Sequence, residues 1–115
     1  MSLDIRLIQL LPTEVFWSNI THNLGEMARA VQCKNYEHSL YEYLWRPEEI
    51  WEYRRARHLI FPLKALLAEL KENPEKYEKY NAKNGFGLYS QLVNFVTEYL
   101  EACERSPDAK IEVSR

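Results

Sequence analysis

The stretch 17–27 contains the densest run of hydrogen-bonding side chains in the chain, Trp-Ser-Asn-Ile-Thr-His-Asn-Leu-Gly-Glu-Met. His22 and Glu26 are four residues apart, so on a helix they would share one face. A carboxylate beside an imidazole orients the ring for acid–base chemistry, and Asn19 and Asn23 could hold a ligand next to it. The alternative is structural: Asn19 caps the helix, Glu26 faces solvent and His22 is satisfied locally.

A second candidate group is the run Trp-Arg-Pro-Glu-Glu at 45–49. The proline restricts the backbone directly after a Trp and an Arg, which would place a stacking surface beside a bidentate donor. If this run packs near His22, it forms one wall of a pocket. The alternative is a helix-boundary turn in which Trp45 belongs to the core.

The basic cluster is Arg-Arg-Ala-Arg-His at 54–58. Arg54 and His58 are four residues apart, so a helix would bring them together to bind a phosphate or an acidic partner. The alternative is a solvated helix face paired with nearby glutamates. The run Asn-Gly-Phe-Gly at 84–87 could offer backbone N–H groups to an anion, but it lacks the dinucleotide and P-loop spacings, and a turn explains it equally well.

Metal and thiol chemistry find little support in the sequence. His22, His38 and His58 lack the spacing of a His-Glu-x-x-His motif, and neither cysteine belongs to a CxxC pair. Cys103 lies among apolar positions of a predicted helix and is flanked by acidic residues, which favours a core thiol over a nucleophile. We therefore predict no metal and no cofactor.

The composition restricts the class of protein. The 115 residues fit one domain, 1–115, and a net charge of −2 does not suggest nucleic acid as a partner. Cys33 and Cys103 are far apart, which favours reduced thiols in a cytoplasmic protein over a disulfide framework. Asp4 and Arg6 interrupt the first apolar stretch, so no signal peptide is expected, and no apolar run approaches the roughly 20 residues of a membrane span.

Three segments show strand patterns. Apolar and charged residues alternate near the N-terminus, which predicts a strand over about 2–10. The apolar parity changes at Ile8, as expected for a bulge or for burial of both faces. A turn at 11–14 leads to a second strand, Glu14–Asn19, and a short alternation at 111–113 predicts a third. We expect an antiparallel sheet, with the first two strands as a hairpin and helices covering one face.

Apolar residues at three- and four-residue spacing predict the helices of an α+β fold. Asn19 or Thr21 would cap the first helix, and Pro62 should kink or split the longest one. The predicted helices are 20–31, Leu40–Trp45, 50–72, Pro74–Tyr80 and Leu88–Arg105. The predicted loops between them are 32–38 and 81–87.

Five segments spread over nearly the whole chain form a specific set. In chain order they are Met-Ser-Leu-Asp-Ile at 1–5, Asn-Ile-Thr-His-Asn-Leu at 19–24 with Met-Ala at 27–28, Leu-Trp-Arg-Pro-Glu-Glu at 44–49, Asn-Gly-Phe-Gly-Leu-Tyr at 84–89, and Asp-Ala-Lys-Ile-Glu-Val-Ser-Arg at 108–115. Together they resemble a family of small uncharacterised phage, prophage and bacterial proteins. The resemblance implies that the segments meet in space and that the protein has an accessory role directed at host defence. It implies no catalytic residue.

Two features depart from that family. Its members pass from the first helix to the Trp-Arg-Pro-Glu-Glu segment in fewer residues, so 32–41 resembles an insertion. They also tend to carry Trp where this chain has Phe86. Either difference would alter the rim of a pocket.

Three functional readings stay open. The first is a non-enzymatic binding or accessory protein that recognises a small anionic ligand, such as a nucleotide, or a protein partner, and its aromatic-rich surface would also allow homo-oligomers. The second is a small hydrolase or transferase that uses His22 as general acid or base, oriented by Glu26, with Arg46 beside it. In the third reading, these residues only hold the fold together. The predicted ligand-binding set is Asn19, His22, Asn23, Trp45, Arg46 and Tyr89.

Overall fold

A computed structural model describes residues 1–9 and 13–115 of the chain. Its strands and helices are β1 (Ser2–Ile8), β2 (Glu14–Thr21), α1 (Gly25–Ala30), α2 (Leu40–Trp45), α3 (Arg57–Glu72), α4 (Pro74–Glu78), α5 (Tyr89–Arg105) and β3 (Lys110–Ser114). Two short 3-10 turns, His22–Leu24 and Pro47–Glu49, precede α1 and follow α2. The predicted α+β fold with a three-stranded antiparallel sheet is confirmed.

The strand order is β2-β1-β3, so the N-terminal strand is central. Its alternate apolar side chains are fully buried, while the charged ones lie on the outer face of the sheet. The pairing with β2 shifts register between Leu7 and Ile8, which favours a bulge over burial of both faces as the reason for the parity change. The predicted turn at 11–14 lies in part outside the described residues.

The segment before α3 covers the free edge of β3. Ile111 N–H donates to the Arg54 carbonyl at 3.2 Å, and Ala56 N–H donates to the Ala109 carbonyl at 2.8 Å. The predicted helix over 50–72 is therefore wrong in its first seven residues, because this strand-like pairing satisfies the backbone outside a helix.

The first helix is also shorter than the predicted 20–31. Ile20 and Thr21 still belong to β2, because their pairing with the start of β1 extends the strand. Thr21 Oγ1 accepts the Asn23 N–H at 3.3 Å, so Thr21 is the residue that caps the turn before α1.

The two long helices, α3 and α5, pack against each other beneath the sheet. α3 continues through Pro62 and is not split, and α5 agrees with its predicted range to within one residue. Both cysteines are free thiols, and burial raises the pKa of the Cys103 thiol to about 12, as suits a core residue. In the described part of the chain, no helix has the length and apolar character needed to cross a membrane.

Candidate functional site

Three of the five family-like segments meet at Trp45. Trp45 Nε1–H donates to His22 Nδ1 at 2.8 Å. Arg115 Nη1 donates to the Trp45 carbonyl at 2.8 Å and to the Glu48 carboxylate at 2.7 Å. These bonds hold together the turn before α1, the end of α2 and the last residue of the chain.

The other two segments join the same network. Asn23 Nδ2–H donates to the Phe86 carbonyl at 2.8 Å, and His22 N–H donates to the Met1 carbonyl at 3.3 Å. Gly87 adopts φ +126°, and a Cβ atom there would lie only 3.0 Å from the Asn23 Cβ. Both the conformation and the close approach require glycine. All five segments are therefore linked by these contacts.

His22 acts here as a hydrogen-bond acceptor. Because Nδ1 accepts from Trp45, the ring in this arrangement is neutral and carries its proton on Nε2. Glu26, the expected partner, is instead bonded to Arg29 at 3.3 Å. His22 lies in the 3-10 turn and Glu26 lies in α1, so the two residues do not share a regular helix face. No carboxylate orients the imidazole within the described chain.

Trp45 belongs to the core. Its side chain is 1% exposed, and its ring stacks on Tyr41 with centroids 5.1 Å apart. The Arg29 guanidinium carbon lies 3.9 Å from the centroid of the Tyr41 ring. A ring enclosed in this way offers no face for stacking a ligand.

Arg46 lines a hollow to which His22 does not contribute. The hollow has a volume of about 570 Å³, and Arg46 donates to Glu49 at 3.1 Å. Arg29 lines the same hollow and is already paired with Glu26. A small anion would have to displace a carboxylate from either arginine, so the hollow is a poor anion site. The remaining lining residues are Gln32, Ser39, Tyr41 and Glu42.

Tyr89 links two helices. Its hydroxyl donates to the Leu70 carbonyl at 2.6 Å, and its backbone N–H donates to Asn81 Oδ1 at 2.7 Å. These bonds fix the start of α5 against the end of α3. Of the six predicted site residues, His22, Asn23 and Trp45 share the motif network, while Asn19, Arg46 and Tyr89 each lie elsewhere.

The outer edge of β2 is uncovered in the described chain. In an antiparallel pair, every second residue of a strand bonds to its neighbour through its backbone. The His22 N–H bonds to the Met1 carbonyl, so after the β2 bulge the even-numbered residues of β2 are the ones that bond to β1. Trp17, Asn19 and Thr21 therefore direct their backbone N–H and C=O groups away from the sheet. Among the described residues, no backbone bond from outside the sheet reaches Trp17 or Asn19, whereas the Thr21 carbonyl caps the following 3-10 turn and accepts its first backbone bond.

A groove of about 380 Å³ runs along this edge, between β2 and α5. Phe86 stands at its rim and is 68% exposed, and Asn23 holds its carbonyl. Phe95 supplies apolar surface, and Glu98 is the one charged side chain of the lining. The other lining residues are Ser18, Asn19, Ile20, Thr21, Gln91 and Asn94.

A second hollow, of about 410 Å³, lies on the outer face of the sheet. Its largest aromatic surface is Trp17, which is 52% exposed. Arg6 is bonded to Glu112 at 2.6 Å, and Arg54 reaches the hollow from the segment that covers β3. The remaining lining residues are Asp4, Val113 and Ser114.

The start of α3 divides the basic cluster. Arg54 lies before the helix, and His58 lies in its first turn, where Nδ1 accepts the Arg55 N–H at 3.1 Å. The predicted phosphate site with Arg54 and His58 on one helix face is therefore wrong. Burial, reinforced by two neighbouring arginines, lowers the pKa of His58.

No family model, curated protein or solved structure matches the chain. Within residues 1–9 and 13–115, no three His, Cys, Asp or Glu side chains are grouped so that they could hold a metal ion. Function must therefore be inferred from the geometry of the uncovered β2 edge and the surface hollows.

Proposed function

We propose that the protein is a non-enzymatic binding module that captures an extended segment of a partner protein as a fourth strand beside β2. The observation that carries this proposal is the set of outward-facing backbone groups on Trp17, Asn19 and Thr21. An added strand would pair with these donors and acceptors, which is how strand addition produces affinity without a deep pocket.

The difference between the two sheet edges supports the proposal. The chain closes the β3 edge with its own segment, where Ile111 N–H bonds to Arg54. No segment within residues 1–9 and 13–115 pairs with the β2 edge, and the sequence from Glu14 to Thr21 contains neither Lys nor Pro, two residues that protect edge strands from pairing. The bulge lies near Glu14, so the regular part of the edge, Phe16–Thr21, is where a partner would pair.

The groove beside β2 would supply specificity. Side chains of a strand alternate between its two faces, so every second side chain of an added segment would enter the groove. Phe86 and Phe95 favour apolar side chains there, and Glu98 favours a Lys or Arg near its end of the groove. The partner segment is therefore expected to be extended, alternately apolar and free of clustered acidic residues.

The enzyme alternative has less support. His22 Nδ1 accepts a hydrogen bond from the Trp45 indole N–H, and Glu26 is paired with Arg29. Arg46 lines a hollow to which His22 does not contribute. A hydrolase or transferase based on His22 would need these groups together. A phage-encoded role directed at host defence stays a prediction of the resemblance, and a strand-binding accessory protein would be consistent with it.

The test uses two substitutions at Asn19. Peptides that bind the wild-type protein are first selected from a random library. Asn19→Pro removes an outward-facing N–H that the sheet does not use, whereas Asn19→Ala keeps the backbone and removes only the side chain. We expect the Pro variant to bind the selected peptides roughly tenfold more weakly or worse, and the Ala variant to bind them nearly as wild type does.

Amide hydrogen exchange locates the bound peptide. We expect protection of the Trp17, Asn19 and Thr21 amides upon binding, with circular dichroism confirming that both variants are folded. Equal binding by the Pro variant, or protection confined to other amides, would contradict the proposal. Protection of the same three amides at high protein concentration without peptide would identify a second copy of the chain as the partner.

A further inference from the structure

We infer that the hollow on the outer face of the sheet is a second binding site, which takes a small compound bearing a carboxylate on an aromatic ring. Arg54 binds the carboxylate and Trp17 packs against the ring. The site shares Trp17 with the strand-addition edge but uses its ring on the outer face, whereas the edge uses its backbone. Arg54 lies beside β3, on the side of the sheet opposite to β2.

The sheet register places Trp17 in a row of three residues on the outer face, and Arg54 lies just beyond β3, opposite Ile111, from where it also lines the hollow. Trp17 pairs with Arg6, and Arg6 pairs with Glu112, so these three side chains follow one another across the outer face. The Arg54 carbonyl accepts the Ile111 N–H, which places Arg54 next beyond β3. Three spacings between neighbouring strands separate Trp17 from Arg54, or about 14 Å at the backbone. The volume of about 410 Å³ falls within the range of small-molecule sites.

Two cations line this hollow, and within the described residues Arg54 makes no ion pair, whereas Arg6 makes two. Arg6 is neutralised by Glu112 at 2.6 Å and by Glu14 at 3.8 Å. The Nε of Arg54, in contrast, is buried and has no hydrogen-bond partner in the described chain. A buried donor without an acceptor is unfavourable, and a carboxylate, with its two coplanar oxygens, is the group that pairs with a guanidinium through two parallel hydrogen bonds.

The acidic residues of the hollow restrict the charge of the ligand. Asp4 and Glu112 line the same space as Arg54, so a doubly charged phosphate would be repelled more strongly than a singly charged carboxylate. At the other end, the 52% exposed ring of Trp17 offers a planar apolar surface. A ligand with a planar, singly charged carboxylate on an aromatic ring would match both Arg54 and Trp17.

The experiment is a titration of the wild-type protein with benzoate, followed through the Arg54 Nε–H and Trp17 indole N–H signals in NMR spectra. Both signals should shift and saturate with one dissociation constant. Benzamide keeps the ring without the charge, and acetate keeps the charge without the ring. Each should bind roughly tenfold more weakly or worse, because each lacks one of the two contacts.

A matched pair of variants isolates the guanidinium. Arg54→Lys keeps the charge and the backbone pairing with β3 but loses the planar fork, so benzoate should bind roughly tenfold more weakly when followed at Trp17. Arg55→Lys changes the neighbouring side chain, which does not line the hollow, and should leave the affinity unchanged.

Three results would overturn the inference. They are a shift of the Arg54 signal that never saturates, equal affinity for benzoate and benzamide, and unchanged binding by Arg54→Lys. Tighter binding of inorganic phosphate than of benzoate would overturn the assignment to a carboxylate. If Arg54→Lys does not fold, the wild-type titration still decides, because it observes Arg54 directly.

Discussion

Trp45→Phe tests the central contact of the motif network. The change removes the indole N–H that donates to His22 Nδ1 at 2.8 Å, a bond worth about 1 kcal/mol net. It also removes part of a side chain that is 1% exposed, and the lost burial and residual cavity should add roughly 1–2 kcal/mol. Because His22 is only partly buried, water can satisfy its Nδ1 and no further penalty is expected. The free energy of unfolding should therefore fall by about 2–3 kcal/mol.

Urea unfolding followed by circular dichroism measures this change, with the midpoint expected to fall and the slope to stay constant. Trp17→Phe is the control, because the Trp17 ring is 52% exposed and its replacement should change stability by less than about 0.5 kcal/mol. His22→Ala completes a double-mutant cycle with Trp45→Phe, in which the coupling energy should be about 1 kcal/mol.

The reasoning would be refuted by equal losses for the Trp45 and Trp17 variants, since burial could then not be what distinguishes the two rings. A coupling energy near zero with His22→Ala would refute the hydrogen-bond part alone. In that case, the cost of Trp45→Phe would come entirely from packing.

In three further cases, one structural observation predicts whether stability rises or falls. The Tyr99 hydroxyl is fully buried and has no hydrogen-bond partner among the residues that the structure describes, so Tyr99→Phe should raise the thermal unfolding midpoint by a few degrees, and a lower midpoint would contradict this. Gly87→Ala should cost about 1–3 kcal/mol in urea unfolding, because of its φ of +126° and the close Asn23 Cβ, whereas Gly25→Ala, with 3.6 Å to its nearest neighbouring atom, should be nearly neutral. Burial lowers the pKa of His58, so as pH falls below about 6.5 the unfolded chain binds the proton first and stability is lost. Wild type should therefore lose more unfolding free energy between about pH 7 and 5 than His58→Gln, and parallel pH profiles would contradict this assignment.

Elements whose pattern is local were predictable from the sequence. The alternation in β1, the parity change at Ile8 and the apolar face of α5 each follow from side chains within a few residues of one another. The segment before α3 was not predictable in the same way. Its residues suit a helix, but Arg54 pairs with Ile111, which lies far away in the sequence. Tertiary pairing of this kind overrides local propensity.

The site was only partly predictable, for the same reason. The sequence identified His22, Asn23 and Trp45 as polar or amphipathic residues worth attention, but it could not show that they bond within the network of the chain. Alternation alone would have placed Trp17 outward, opposite the inward-facing Phe16. That signal is local. The position of Arg54 at the same hollow as Trp17 depends on the strand order and on the covering segment, which no local pattern predicts.

Polar groups that are hydrogen-bonded within the chain are expected to contribute to stability, and polar groups without a partner are expected to contribute to binding. The motif residues use their hydrogen bonds inside the chain, as Trp45 does with His22, so their replacement should lower stability. Among the described residues, the outward-facing backbone N–H of Asn19 and the Nε of Arg54 lack partners, so Asn19→Pro and Arg54→Lys should remove little that holds the fold. Trp45→Phe should accordingly reduce the folded fraction at elevated temperature while the folded molecules keep wild-type affinity. Asn19→Pro and Arg54→Lys should each lower the affinity of their own site in a protein that remains folded.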